Sequence, residues 1–286
     1  MKKILVTGAN GQLGQCLQKI SSQFEEFEFI FTDSETLDIT NKEEVNDFFW
    51  QNAPDFCINA AAYTAVDLAE TDIEKAFLVN ADGTENLAEA CAENNAQFIH
   101  VSTDYVFDGE NNLAYTEEDF TNPLGVYGAS KLAGDELALE VNPCSVILRT
   151  SWVYSEFGKN FVKTMLNLFA TKEELSIVAD QFGQPTNAND LAEAIMKIIK
   201  SNKITPGIFN FSNLGRISWF DFAEKIAELS EAKIKLNAIE TSQYPTPAKR
   251  PKNSVLDLDK ISKTYAIQLK PWEESLEDCV QILQNN

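Results

Sequence analysis

The sequence predicts an α/β fold, a doubly wound parallel sheet with a smaller C-terminal lobe. Three observations predict it. Apolar segments of strand length alternate with amphipathic helical segments through the first half of the chain. A glycine turn, Gly8-Ala9-Asn10-Gly11-Gln12-Leu13-Gly14, stands directly behind the first apolar run. The residues with chemical potential fall just after strands, where an open α/β sheet keeps its ligands.

The first strand is expected over 3–7, around Ile4-Leu5-Val6, and the first helix over 11–20. Gly8 permits the tight turn, Gly11 lets backbone approach a ligand, and Gly14 lets helix and strand pack closely. The spacing is GxxGxxG rather than GxGxxG. A strand, glycine turn and helix in that order offer bare N–H groups and a positive dipole end to a pyrophosphate, although a plain structural turn also accounts for the triplet. The second strand, 27–32, is aromatic and β-branched and ends at Asp33. An acid there accepts hydrogen bonds from an adenosine ribose, or is simply a solvated loop aspartate. Thr40-Asn41-Lys42-Glu43 reads as a capping box before a helix over 42–51.

A third strand is expected over 56–59, a long helix over 72–94 and a fourth strand over 97–102. The one histidine, His100, lies in that fourth run and reads as a core or strand-end residue. Ser102-Thr103-Asp104-Tyr105 follows it. A helix over 127–140 opens on Tyr127-Gly128-Ala129-Ser130-Lys131, and a fifth strand covers 145–150. Beyond it come a helix over 161–171, a strand over 175–179, a helix over 188–200 and another after Ser218. Residues 244–251 hold three prolines and form a rigid connection. The expected division is a dinucleotide-binding domain over 1–150, with 174–203 returning to it, and a substrate-binding lobe from 151–173 and 204–286.

Tyr127 and Lys131 are four residues apart and share a helix face. Nearby ammonium is expected to lower a tyrosine pKa from about 10 by roughly 1–3 units, which makes the phenol a better donor to a developing alkoxide. A YxxxK spacing alone is an ordinary helix face. Thr103 could share a substrate oxygen with Tyr127, or satisfy a backbone group at the strand end.

Composition narrows the partners. With 44 acidic and 23 basic residues the net charge is −21. That field repels nucleic acid and anionic membranes, so neither is an expected partner. Five scattered cysteines without a CxxC read as reduced thiols and point to the cytoplasm. One histidine and no cysteine cluster lead to no expected metal site. The apolar run after Met1-Lys2-Lys3 is too short for a secretion signal, and no stretch reaches membrane-spanning length.

The order glycine turn, Thr103, Tyr127-xxx-Lys131 resembles the extended short-chain dehydrogenase/reductase family. Asn59-Ala60-Ala61-Ala62-Tyr63-Thr64-Ala65-Val66-Asp67, Arg149-Thr150-Ser151-Trp152-Val153-Tyr154, Val178-Ala179-Asp180-Gln181-Phe182-Gly183, Ser218-Trp219-Phe220-Asp221-Phe222-Ala223 and Tyr244-Pro245-Thr246-Pro247 resemble its branch that reduces 4-keto nucleotide sugars. The resemblance runs from residue 1 to about residue 275. It implies a Rossmann-type sheet and NAD(P)H-dependent reduction of dTDP-4-dehydro-L-rhamnose to dTDP-L-rhamnose, for cell-surface polysaccharide. It implies that Gly11, Gln12 and Leu13 contact the cofactor pyrophosphate and that Asp33, Asp38 and Ile39 hold its adenosine end. Ala62, Tyr63, Thr64 and Val101 would line the cleft. Tyr127 would be the proton donor, Lys131 would bind the nicotinamide ribose, Thr103 and Asp104 would touch the sugar, and Trp152 would pack on it or serve as a core aromatic.

Two departures shape the remaining expectations. Some members form a metal-linked dimer through glutamates, and Cys16 stands at one such position, so no metal is expected and the chain is read as a monomer or weak homodimer. No arginine follows Asp33 to meet a 2′-phosphate, so use of both NADPH and NADH is expected. Two other readings share the scaffold: an epimerase or dehydratase with tightly held NAD, and a non-catalytic regulatory subunit of the methionine adenosyltransferase type.

Overall fold

A computed structural model describes residues 1–201 and 203–285, leaving Asn202 and Asn286 outside the described residues. The chain opens with β1 (Lys2–Thr7), α1 (Gln12–Ser21), β2 (Phe27–Phe31), α2 (Lys42–Asn52) and β3 (Phe56–Asn59). Two short helices, α3 (Val66–Ala69) and α4 (Ile73–Phe77), lead through a π-helical turn at Leu78–Asp82 into α5 (Gly83–Glu93). Then come β4 (Gln97–Thr103), α6 (Val126–Val141), β5 (Val146–Thr150), β6 (Val153–Tyr154), α7 (Phe161–Phe169), β7 (Glu174–Val178), β8 (Phe182–Gly183) and β9 (Thr186–Asn187). The chain ends through α8 (Ala188–Ile199), β10 (Gly207–Asn210), β11 (Ile217–Ser218), α9 (Trp219–Leu229), β12 (Lys235–Ile239), α10 (Asp259–Tyr265) and α11 (Trp272–Asn285).

Six strands form one parallel sheet in the order β10-β5-β4-β3-β1-β2. Successive side chains on a strand point to opposite faces, so a sheet covered on both sides needs apolar residues at every position. Ile4 and Val6 join one core cluster with α1 and α8, while Leu5 joins the other with α2 and α5. Cys57 and Ile58 on β3 divide in the same way. A third cluster, including Tyr154, Met165, Phe222, Trp272 and Leu276, forms the smaller lobe. The chain leaves β1 for β2 on one side and returns to β3 on the other. That reversal opens a crevice at the carboxyl ends of β1 and β3.

The structure refines three expectations. The helix expected over 72–94 is present as a continuous helical run over 73–93 that widens into a π turn in its middle, where the Asn80 side-chain oxygen accepts from Tyr63 N–H at 2.8 Å and its Nδ2 donates to the Tyr63 carbonyl at 3.1 Å and to Ser130 Oγ at 3.0 Å. The cap of α2 is Asn41, which accepts from Glu44 N–H, while the Glu44 carboxylate reaches back to Asp38 N–H, so the motif sits one residue later than expected. The division at 174–203 also shifts. Residues 174–178 pair with β12 outside the large sheet, and 207–210 join that sheet beside β5. Within the returning segment α8 packs back on it, against α1.

Candidate active site

The first strand delivers the glycine turn to the switch point. Gly8 has φ +68°, and a Cβ there would lie 2.6–2.7 Å from the backbone of Ala60 and Ala61. Only glycine lets the turn after β1 close onto the loop after β3. A Cβ on Gly14 would meet the Gly8 carbonyl oxygen at 2.4 Å, while Gly11 N–H donates back to that oxygen at 2.9 Å. No side chain caps α1, whose exposed N-cap residue is Gly11, so its first N–H groups face the crevice uncovered. Gln12 sends its side chain away, accepting from Ser155 Oγ at 3.1 Å and Asn160 Nδ2 at 2.8 Å; only its backbone faces the turn. Leu13, in the first turn of α1, has a buried side chain.

The crevice has a volume of about 430 Å³ and is lined by Gly8, Asn10, Gly11, Asp33, Asp38, Ile39 and Ala62, among others. Asp33 Oδ1 accepts from the N–H groups of Glu35 and Thr36 (both 3.1 Å) and from the Thr36 hydroxyl (3.0 Å), and Asn10 donates to Oδ2. The Thr36 hydrogen bond holds this carboxyl below its ordinary pKa, so the tip of β2 carries a fixed negative charge. None of the described residues lining the crevice is a lysine or arginine. Asp38 folds its carboxylate onto Thr40, and Thr64 is exposed. Tyr63 is held through its backbone by Asn80 and donates its hydroxyl to Asp72 at 3.2 Å.

The carboxyl end of β4 meets the start of α6. A Cβ on Gly128 would lie 2.2 Å from the Tyr105 carbonyl oxygen, so glycine at this position lets the helix press against the turn after β4. Tyr127 thereby sits edge-on to Tyr105, ring centroids 5.7 Å apart, and beside Thr103. Its pKa departs from expectation. Burial pushes the phenol up to about 12, with Asp104 and Asp135 adding to the rise and the Thr103 side chain opposing it. The ammonium does not offset this, because Lys131 Nζ is turned to the strand, 2.8 Å from the Val101 carbonyl and 2.9 Å from His100 Nε2. Burial lowers Lys131 to about 8, against the pull of Asp135. Thr103 donates to Asp104 Oδ1 at 3.1 Å and accepts from Tyr105 N–H at 3.2 Å. Asp104 is buried, its Oδ2 has no partner, and desolvation raises it to about 7.

A second pocket, about 470 Å³, opens in the smaller lobe between Phe161, Leu168, Ile177, Trp219, Tyr244 and Arg250. Trp219, Gln181 and Arg250 continue into a narrow cleft with Trp152 and Tyr105, and Tyr105 and Pro251 line the next cleft with Tyr127. Trp152 does not present an open face. It has φ +47° and stacks on Trp219 at 3.5 Å between centroids, with Gly183 close on its ring. Arg250 forks onto Asp67 through Nη1 at 2.8 Å and Nη2 at 2.7 Å, which ties the proline-rich connection to α3. Sequence reasoning missed this pair, which spans 183 positions, and it missed Asn59, Asn80 and Trp219 as parts of the site. Asn59 and Trp219 both lie in strings quoted above, at the carboxyl end of a strand and at a helix start; that placement was the available signal.

The family described as RmlD substrate binding domain matches residues 1–285. A dTDP-4-dehydrorhamnose reductase of Aggregatibacter actinomycetemcomitans is 44% identical over 288 residues, covering 97% of this chain and 98% of its own. Among solved structures, a dTDP-4-dehydrorhamnose reductase of Clostridium acetobutylicum superposes with TM-score 0.94 at 43% identity, over 99% of both chains. That of Bacillus anthracis, solved in complex with NADP, gives TM-score 0.95 at 39% identity, over 99% of this chain and 100% of its own.

Proposed function

The chain belongs to the RmlD substrate binding domain family, and we propose that it reduces the C4 ketone of dTDP-4-dehydro-L-rhamnose to dTDP-L-rhamnose with NADPH or NADH, for a rhamnose-containing cell-surface polysaccharide. Near-full-length likeness to reductases of that name carries this reading. The crevice fits a dinucleotide, since the uncapped start of α1 and the close Gly8–Ala61 approach leave N–H groups where a pyrophosphate rests. Backbone at Gly8, Gly11, Gln12, Leu13 and Gly14 would hold it, with Asp33, Asp38 and Ile39 at the adenosine end. Ala62, Tyr63, Thr64 and Val101 would line the nicotinamide end, where Lys131 meets the ribose.

When bound, the reduced nicotinamide supplies a hydride to the sugar C4. Tyr127 donates its phenol proton to the oxygen on that carbon, and the Thr103 hydroxyl turns its one hydrogen from Asp104 to the same oxygen as its charge grows. A phenol with pKa raised to about 12 keeps its proton throughout the neutral range. An alkoxide is the stronger base, so the transfer runs downhill once the charge develops. The pocket beside Trp219 and Phe161 takes the nucleotide, with Arg250 as the cation for its diphosphate in an otherwise acidic molecule. Asp104 holds Thr103 in place and contacts the sugar together with Trp152 at the edge of its stack.

The protein acts in the cytoplasm as a monomer or weak homodimer without metal. Cys16 is buried and its thiol is pushed up to about 12 by burial, which makes it a poor metal ligand. The test follows NADPH absorbance with dTDP-4-dehydro-L-rhamnose made in situ, against a UDP analogue. Oxidation that depends on the dTDP sugar supports the reading. A purified protein with stoichiometric tightly held NAD and no net oxidation would turn it to an epimerase.

A further inference from the structure

The proton between Lys131 and His100 can be located from the far side of the imidazole. Asn59 Oδ1 accepts from the Ala61 backbone N–H at 3.1 Å and from the Thr7 hydroxyl at 2.8 Å. A backbone N–H cannot accept, so the Asn59 oxygen must face it and Nδ2 must face the ring. Nδ2 stands 3.0 Å from His100 Nδ1 and 3.3 Å from Thr84 Oγ1, whose own hydrogen goes to the Asn80 carbonyl. Nδ1 is therefore the lone-pair nitrogen, and a neutral imidazole carries its hydrogen on Nε2. That hydrogen points at Lys131 Nζ, 2.9 Å away. An ammonium has three donors and no acceptor, so it cannot complete this bond. A neutral amine accepts it and still donates to the Val101 carbonyl at 2.8 Å.

The surrounding charges agree. Asp135 Oδ1 is 3.8 Å from His100 Nε2, and Arg149 Nε is 3.3 Å from Asp135 Oδ2. Ser102 also donates to that carboxylate at 2.9 Å. Tyr127 lies on the cleft side, with Asp104 buried near it. Asp135 and Arg149 offset one another, which leaves an ammonium at Lys131, 1% exposed, as an uncompensated buried charge. Burial lowers both the lysine and the histidine, and Asp135 alone opposes it at the lysine.

We propose that His100 is a positioning residue, fixed as the Nε2–H tautomer by Asn59, that favours the neutral amine of Lys131 in the resting protein, so that at mildly alkaline pH dinucleotide binding loads a proton onto it. The proposal rests on the reading of the crevice as a dinucleotide site. The loaded proton comes from solvent and forms the third N–H bond of Lys131. Ammonium and the His100 contact exclude each other, so loading breaks that contact, whereas the Val101 carbonyl can still accept from Nζ. The cation that stabilises the Tyr127 phenolate after proton donation is thus completed with the cofactor, whose pyrophosphate brings the compensating charge.

Two measurements test it. In the free protein, ¹³C-lysine NMR should show one Cε resonance, identified by its loss in Lys131→Met, titrating at least about 2 units below the surface lysines near 10.4. His100→Gln, whose amide oxygen accepts from an ammonium, should move it up by about a unit or more. Titration of Lys131 together with the surface lysines overturns the proposal, and the wild-type result stands even if the variant folds poorly. Calorimetry of NADH binding at about pH 8.5, in buffers of different ionisation enthalpy, should show uptake of more than about half a proton per site. NADH is used because a 2′-phosphate titrates itself. Binding without uptake overturns the loading step, whereas failure of NADH to bind overturns the dinucleotide reading and the loading step with it.

Discussion

Tyr127→Phe removes one hydroxyl and leaves the packing of the ring unchanged. The edge-on contact with Tyr105 at 5.7 Å needs only the ring, and Gly128 still seats α6 against the Tyr105 carbonyl. The lost hydroxyl makes no hydrogen bond beyond its contact with Thr103, so the stability change should stay within about 1 kcal/mol, a shift of roughly 2–4 °C in Tm. Turnover should respond very differently. A positioned proton donor contributes about 10²–10⁴-fold, which at about 1.4 kcal/mol per decade is roughly 3–5 kcal/mol of transition-state stabilisation. The assay pairs steady-state NADPH oxidation with fluorescence titration of NADH binding and a thermal melt. The account predicts kcat down by at least about 100-fold with NADH affinity within about threefold of wild type. A fall in kcat of less than about threefold would mean that another group protonates the oxygen. Loss of cofactor binding would mean that Tyr127 builds the crevice rather than acting on the substrate.

Other perturbations separate the parts of the site. Asp33→Ala should raise the NADPH to NADH ratio of kcat/KM several-fold at low salt, because the fixed carboxylate at the tip of β2 opposes a 2′-phosphate and no lysine or arginine among the described lining residues offsets it; an unchanged ratio counts against Asp33 at the ribose. Gly8→Ala puts a Cβ 2.6 Å from Ala61 N at φ +68°, so it should lower Tm and weaken NADH binding together, and intact binding in a folded variant would argue against the turn as the cradle. Asp104 has its folded-state pKa raised to about 7, so its contribution to stability is fully present below the unfolded pKa near 4 and is lost as pH rises through about 7. Asp104→Asn should therefore stabilise the protein more at about pH 8 than at about pH 5 in calorimetric melts, and equal shifts at both would contradict a neutral resting carboxyl.

Much of the sheet was legible because burial on both faces writes short continuous apolar runs, such as Ile4-Leu5-Val6 and Phe56-Cys57-Ile58, between longer amphipathic segments. The glycine turn was legible for a related reason, since Gly8 and Gly14 each face backbone where no Cβ fits. Illegible features were those set by distant partners. The helix expected over 72–94 carries helical periodicity throughout, but Asn80 is recruited to clamp Tyr63, seventeen positions back. The strands at 153–154, 182–183 and 217–218 are two residues long, too short to write a period. The same limit applies to chemistry. The i, i+4 spacing placed Tyr127 and Lys131 on one helix face, yet burial and His100 decide their protonation, and neither is visible in spacing.

The most direct measurement supplies NADPH deuterated on the transferring face of nicotinamide C4 together with dTDP-4-dehydro-L-rhamnose, and examines the product by NMR. The account predicts one deuterium at sugar C4 of dTDP-L-rhamnose for each NADPH oxidised. A rhamnose product without label at C4, or dinucleotide that cycles without net oxidation, would contradict it.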